Sequence, residues 1–340
     1  MLFEDIKRLV ETDNAYDFLQ TEPILQDNII LLGLGGSYAY GTNVETSDVD
    51  IRGITFNRPQ DLLRFNLESN PFEQFVDETT DTVIYSLNKM VELLTNCNPN
   101  TIEILGLPKN EYLVLNKVGE ELLNMSSIFL SKKCINTFRG YANQQMYRLK
   151  QRSLCAFTKE EYNTHISKVL NSMTTSLVKH YPNLDLSQVR AFVRNENLYL
   201  DFGLKNVKAE DIAGFLGELN TTINAYNKNS KRNKKAIEHG KISKHSMHLL
   251  RLYMMGIDIL TKHEIITKRV DEHDLLMSIR NGEWLGEDGI PNADFFALVD
   301  EYERKFDEAI AVTTLPDKPD YDTIYAFIER VNTDLILGDR

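Results

Sequence analysis

Two observations predict an α+β fold for this 340-residue chain. Its first third alternates strand-like and helix-like segments. From about residue 112 onward most segments carry the 3.6-residue apolar spacing of amphipathic helices. A third observation places chemistry in the first third: the apolar run Ile29–Leu34 ends in Gly35-Gly36-Ser37, and Asp48 and Asp50 follow. The length favours two domains, and the change of pattern puts a soft boundary between residues 108 and 130. The expected division is a strand-bearing domain over 1–120 and a mainly helical domain over 121–340.

In chain order, residues 3–20 read as an amphipathic helix with Phe3, Ile6, Val10 and Tyr16 facing inward. Residues 28–33 read as a buried strand and 48–56 as a second one, with Pro59 just past it. The β-branched and aromatic run at 81–85 predicts a third strand. Ser86 is placed to cap a helix over 87–95, and Asn98-Pro99-Asn100 to stop that helix and open a short one over 102–107. Helical spacing then covers 114–130, 131–151, 159–180, 207–226, 241–263, 271–280 and 292–312. Residues 189–202 break the series as a small hairpin turning at Asn195-Glu196-Asn197. The polar stretch 227–240 reads as a loop.

Composition narrows the function classes. A net charge of −12 argues against a broadly basic nucleic-acid binder, although eight Lys and Arg residues cluster between Lys228 and Arg251. No apolar run approaches the roughly 20 residues that span a bilayer, and the first residues lack the pattern of a signal peptide. Cys97, Cys134 and Cys155 have neither metal-type nor disulfide-type spacing. A reduced, cytoplasmic setting is the expectation.

If Asp48 and Asp50 lie in a strand, they share a face, because side chains alternate. Carboxylates that close repel unless a cation neutralises them. Hard oxygen ligands suit Mg²⁺, which commonly accompanies phosphate groups. The Gly35-Gly36-Ser37 turn leaves backbone N–H groups to hold such phosphates.

Gly36-Ser37, Tyr40-Gly41 and Ser47-Asp48-Val49-Asp50-Ile51-Arg52-Gly53 together resemble the DNA-polymerase-β-like nucleotidyltransferase superfamily. The Tyr-Gly pair and the Asp-Ile-Arg-Gly tail are similar to its RNA repair pathway polymerase-β family. So are Asp81-x-x-x-Tyr85-Ser-Leu-x-Lys89, Asn98-Pro99-Asn100 with Glu103-Ile-Leu, and Lys244-His245-x-x-His248-Leu-Leu-Arg251-Leu. The resemblance implies a polymerase-β-type domain with a mixed sheet flanked by helices. It also implies two Mg²⁺ ions held by three carboxylates and a nucleoside triphosphate as substrate. Asp48 and Asp50 match the first two carboxylates, and Gly35, Gly36 and Ser37 match the triphosphate cradle. Asp81 is the choice for the third, with Asp77 and Glu78 as alternatives.

Lys244, His248 and Arg251 are spaced by four and three, so one helix face carries them, and Lys241 extends the stripe. Leu249, Leu252 and Ile259 are then free to face the core. The resemblance assigns the stripe to the triphosphate or the acceptor. Arg52 is open to a salt bridge or a phosphate contact, and Lys89 reads as solvated. Arg139, Arg148 and Arg152 read as surface residues.

The expected activity is Mg²⁺-dependent transfer of a nucleoside monophosphate from an NTP to an acceptor, with release of pyrophosphate. The acceptor is an RNA end or, alternatively, a protein. A nucleotide-binding regulator without catalysis is the competing class.

Overall fold

The computed structural model describes residues 1–63, 71–152, 159–177, 183–238, 242–287 and 289–338. Two compact units divide the chain, and neither is continuous. Unit 1 comprises Met1–Asn143, Met247–Asn281 and Phe296–Arg340. Unit 2 comprises Gln144–Ser246 and Gly282–Phe295.

In unit 1 the chain forms α1 (Phe3–Thr12), α2 (Phe18–Thr21), β1 (Ile29–Leu34), α3 (Gly36–Ala39), β2 (Ile51–Thr55), α4 (Pro59–Leu63), β3 (Gln74–Asp77), β4 (Thr82–Ser86), α5 (Leu87–Thr95), α6 (Pro99–Ile102), β5 (Tyr112–Leu115) and α7 (Lys117–Asn124). The helix α8 (Lys133–Arg152) runs on into the residues of unit 2. There follow α9 (Lys159–Leu177), β6 (Val189–Arg194), β7 (Asn197–Phe202) and α10 (Ala209–Glu238). The division between units falls within α11 (Ile242–Lys262), after which come α12 (His273–Arg280), α13 (Ala293–Val312) and α14 (Tyr321–Leu337).

The five-stranded sheet has the order β3-β4-β2-β1-β5. It is mixed: β2 runs parallel to β4, and the other pairs are antiparallel. Strand β1 is buried throughout, as its unbroken apolar run requires. One apolar cluster joins Ile29, Leu32, Ile51 and Ile84 of the sheet to Tyr16 and Leu25. Ile6 of α1 closes a second one with Leu34 and Tyr38. Unit 2 carries its own core, where Val189 and Ala191 of β6 pack with Ile166 and Leu170 of α9 and Phe215 and Leu219 of α10.

Several sequence expectations need correcting. The helix expected over 3–20 stops at Thr12, because Asp13 accepts from the Ala15 amide and opens a short 3₁₀ turn. Strand β2 begins at Ile51, so Asp48 and Asp50 lie in the loop before it, and strand alternation does not govern them. Residues 112–115 are a strand pairing with β1, not the start of a helix; Asn116 then caps α7 through the Gly119 amide. Strand β3 and helix α14 were not anticipated. Residues 227–238, expected as a loop, continue α10, since none of them is the Gly or Pro that ends a helix. The rest of that stretch, with Lys241, lies outside the described residues, as does Cys155. Cys97 and Cys134 are buried free thiols. Among the described residues no helix is long and apolar enough to cross a membrane.

Candidate active site

The glycine turn after β1 is fixed by its neighbours. The Gly35 amide donates to the Asp50 carbonyl at 2.8 Å. Gly36 has φ +55°, and a Cβ built on it would lie 1.7 Å from Asp50 Oδ2. Only glycine fits that position: it tolerates the left-handed backbone and lets the Asp50 carboxylate rest against the turn. Ser37 is buried, and its carbonyl accepts from the Thr42 amide at 2.9 Å.

The loop carrying Asp48 is tied down at Ser47. Its hydroxyl accepts from the Val44 amide at 2.9 Å and from an Arg280 guanidinium nitrogen at 2.8 Å.

Asp81 occupies the turn into β4 at φ +47°. Its carbonyl accepts from the Ile51 amide at 3.3 Å, which sets it beside the start of β2. Its exposed carboxylate pairs with Arg52 at 3.2 Å, and the same guanidinium bonds the Asp81 carbonyl. Asp77 accepts from both the amide and the hydroxyl of Thr80, so it braces the β3–β4 turn. Among the described residues, no three His, Cys, Asp or Glu side chains come together closely enough to hold a metal ion.

Helix α11 supplies the cations. Arg251 is 7% exposed and lies 3.7 Å above the Tyr40 ring centroid. It reaches the Gly36 carbonyl at 3.5 Å and His248 Nδ1 at 2.9 Å. A guanidinium only donates, so that ring nitrogen accepts and the His248 proton sits on Nε2. The face runs from exposed Lys244 through half-buried His248 to buried Arg251. Lys244 falls in unit 2, whereas His248 and Arg251 belong to unit 1. Leu249, Leu252 and Ile259 are buried, as their spacing predicts.

Four further residues complete the site. Tyr40 donates its hydroxyl to Glu103 at 2.8 Å. Glu103 retains some exposed surface, yet burial raises its carboxyl above the usual range, against the pull of Arg251 and Arg52. Burial and the Glu103 charge hold the Tyr40 phenol well above its ordinary value. The Thr267 hydroxyl donates to the Glu103 carbonyl at 2.7 Å and fixes that segment. Arg280 ends α12, and burial, then repulsion from Arg251, lower its pKa. Arg251 Nε and Arg280 NH1 are buried and find no hydrogen-bond partner among the described residues. Tyr40 and Glu103 were visible in the sequence only inside the resembling motifs, and nothing there set Arg280 apart.

Two of the other basic residues have structural partners. Lys89 pairs with Glu73 and Glu92, and Arg139 with Asp307.

The mixed sheet, with a glycine turn at the end of its buried strand and the two aspartates ahead of the next, defines a polymerase-β-like domain. The family follows from the sequence: the model of the RNA repair pathway DNA polymerase beta family matches residues 4–181, over half of the chain, and the chain belongs to that family. No curated protein and no solved structure matches it.

Proposed function

We propose that the protein is a Mg²⁺-dependent nucleotidyltransferase moving a nucleoside monophosphate from an NTP to an acceptor hydroxyl, with an RNA end as the acceptor and the cytoplasm as its setting. The observation that carries this reading is a pair of guanidiniums, that of buried Arg251 and that of half-buried Arg280. They repel each other, and each keeps an unsatisfied donor close to the Gly35-Gly36-Ser37 turn and the Ser47 hydroxyl. Buried donors of like charge are expensive unless an anion completes them, and a triphosphate is such an anion.

The donor set is compatible with Mg²⁺. This ion commonly takes one or two carboxylates and draws its remaining ligands from substrate phosphates and water. Asp48 and Asp50 are the residues that would hold it, and Asp81 is the third candidate. When bound, the ion would polarise the α-phosphate and offset charge on the departing pyrophosphate.

The chain's own groups have separable tasks. The glycine turn lets phosphate approach the backbone. Arg251 and Arg280 neutralise the β- and γ-phosphates. Tyr40 and Glu103 keep Arg251 aimed at the turn. In the transfer, the acceptor hydroxyl gives up its proton to water, its oxygen bonds to the α-phosphorus, the α–β phosphoanhydride bond breaks, and pyrophosphate leaves with the bonding electrons.

A second reading has one observation in its favour. The Asp81 carboxylate is engaged with Arg52, as expected for a nucleotide-binding regulator that does not catalyse. Protein nucleotidylation is the alternative acceptor chemistry. Incubation with α-labelled NTPs, Mg²⁺, total RNA and cell lysate separates the three. Label on RNA that disappears in Asp48→Ala/Asp50→Ala supports the proposal, label on protein supports nucleotidylation, and nucleotide binding without label supports the regulator.

A further inference from the structure

The β6–β7 hairpin of unit 2 turns an apolar face inward and an unusual face outward. Val189 and Ala191 are buried in the core of the unit, with Leu198, Leu200 and Phe202 packed against it. The outward face carries three register pairs: Arg190 opposite Asp201, Phe192 opposite Tyr199, and Arg194 opposite Asn197. Phe192 and Tyr199 are 43% and 44% exposed. Their rings stack with centroids 5.7 Å apart at an interplanar angle of 19°. A solvent-facing strand row is ordinarily polar, so an aromatic pair at the centre of one is matched to a planar partner.

Charge indicates the partner. Arg190 and Arg194 lie two residues either side of Phe192, hence on its face. At about 3.3 Å per residue they flank it by roughly 7 Å on each side. Asp201 faces Arg190, and Arg194 has no acid across from it. Unit 2, residues 144–246 and 282–295, holds seventeen Lys and Arg against thirteen Asp and Glu, in a chain whose net charge is −12. Positive charge is therefore concentrated in the part of the chain that displays the aromatic pair.

We infer that this face binds single-stranded RNA, with bases stacking on Phe192 and Tyr199 and phosphates meeting Arg190 and Arg194. A single strand fits and a duplex does not, because bases paired inside a helix cannot lie on the rings. The hairpin lies beyond the residues that the family model matches. The inference rests on the RNA-acceptor reading for the identity of the strand.

The test titrates the full chain into a fluorescently labelled ten-nucleotide single-stranded RNA and into a duplex of the same sequence, without Mg²⁺. Phe192→Ala/Tyr199→Ala should bind the single strand about 10- to 100-fold more weakly, with ATP binding unchanged. Arg190→Ala/Arg194→Ala, which leaves the rings in place, should flatten the dependence of log affinity on log salt by one to two units. Equal affinity of wild type and the aromatic variant, preference for the duplex, or capture of a protein but no RNA would overturn the inference. Single-strand binding at the face with no label ever transferred to RNA leaves the surface standing and removes the acceptor reading. RNA labelling undiminished in the aromatic variant does the reverse.

Discussion

Arg280 and Arg251 illustrate how one residue separates stability from function. Burial and the Arg251 charge both disfavour the charged form of Arg280, a cost that its hydrogen bond to the Ser47 hydroxyl offsets only in part until an anion arrives. Arg280→Ala is therefore expected to leave thermal stability unchanged or raised, while nucleotide affinity falls about 10- to 100-fold, the range for losing hydrogen bonds to a charged group. Isothermal titration with ATP beside a melting curve reads both; unchanged affinity would remove Arg280 from the site. Glu103 gives a pH signature. Its folded carboxyl lies above the ordinary glutamate value of 4.5, so in the window opening there and extending upward the native state holds a proton that the unfolded state has released. The unfolded state binds fewer protons in that window, so stability falls as pH rises. Glu103→Gln keeps an acceptor for Tyr40 and cannot ionise. The melting temperature of the wild type minus that of the variant should decline with increasing pH across the window and level off above it. A difference independent of pH would show that Glu103 is not held in a desolvating site.

At the scale of elements, the β6–β7 turn contains Asn195 and Glu196 at φ +51° and +59°. Two left-handed residues make the turn that suits the twist of a two-residue hairpin, but glutamate pays a steric cost there that glycine avoids. Glu196→Gly should raise stability by about 0.5–1 kcal/mol after the entropy of the added glycine is set against the relieved strain; a lower urea midpoint would contradict this. The same hairpin was legible in the sequence, because alternation and a polar turn are local signals. Helices α5, α9, α11, α12 and α13 were legible for the same reason. What escaped depends on distant partners. Strand β3 has exposed Gln74 and half-buried Phe75 and is a strand only because β4 pairs with it. Strand β5 looked helical because Tyr112-Leu-Val-Leu suits either state, and pairing with β1 decides. In the site, the glycine turn and Asp48-x-Asp50 were readable as a motif. The contacts of Tyr40, Glu103 and Arg280 join residues 63 to 233 positions apart, and no single-chain spacing encodes them.

At the scale of the whole molecule, the question is whether the strand-bearing first third can stand alone. Unit 1 draws on three separate stretches of chain. Leu249, Leu250, Leu252, Met255, Ile259 and Leu260 of α11 are each at most 5% exposed. A Cβ on Gly256 would lie 2.6 Å from the Phe306 ring, so α11 and α13 pack closely. The Arg269 amide, just beyond α11, reaches the Tyr40 carbonyl at 3.4 Å. Fully burying one such aliphatic side chain contributes about 1.5–3 kcal/mol, so the six from α11 amount to on the order of 10 kcal/mol. That equals the whole net stability of an ordinary domain, about 5–15 kcal/mol. A fragment spanning residues 1–120 keeps the five strands and loses all six side chains, together with Arg251. It is expected to show no cooperative urea transition and no ATP binding, whereas the full chain shows both. A cooperative transition in the fragment would mean that the sheet and the helices before residue 120 form a self-sufficient core, and that α11 serves the site without being needed for the fold.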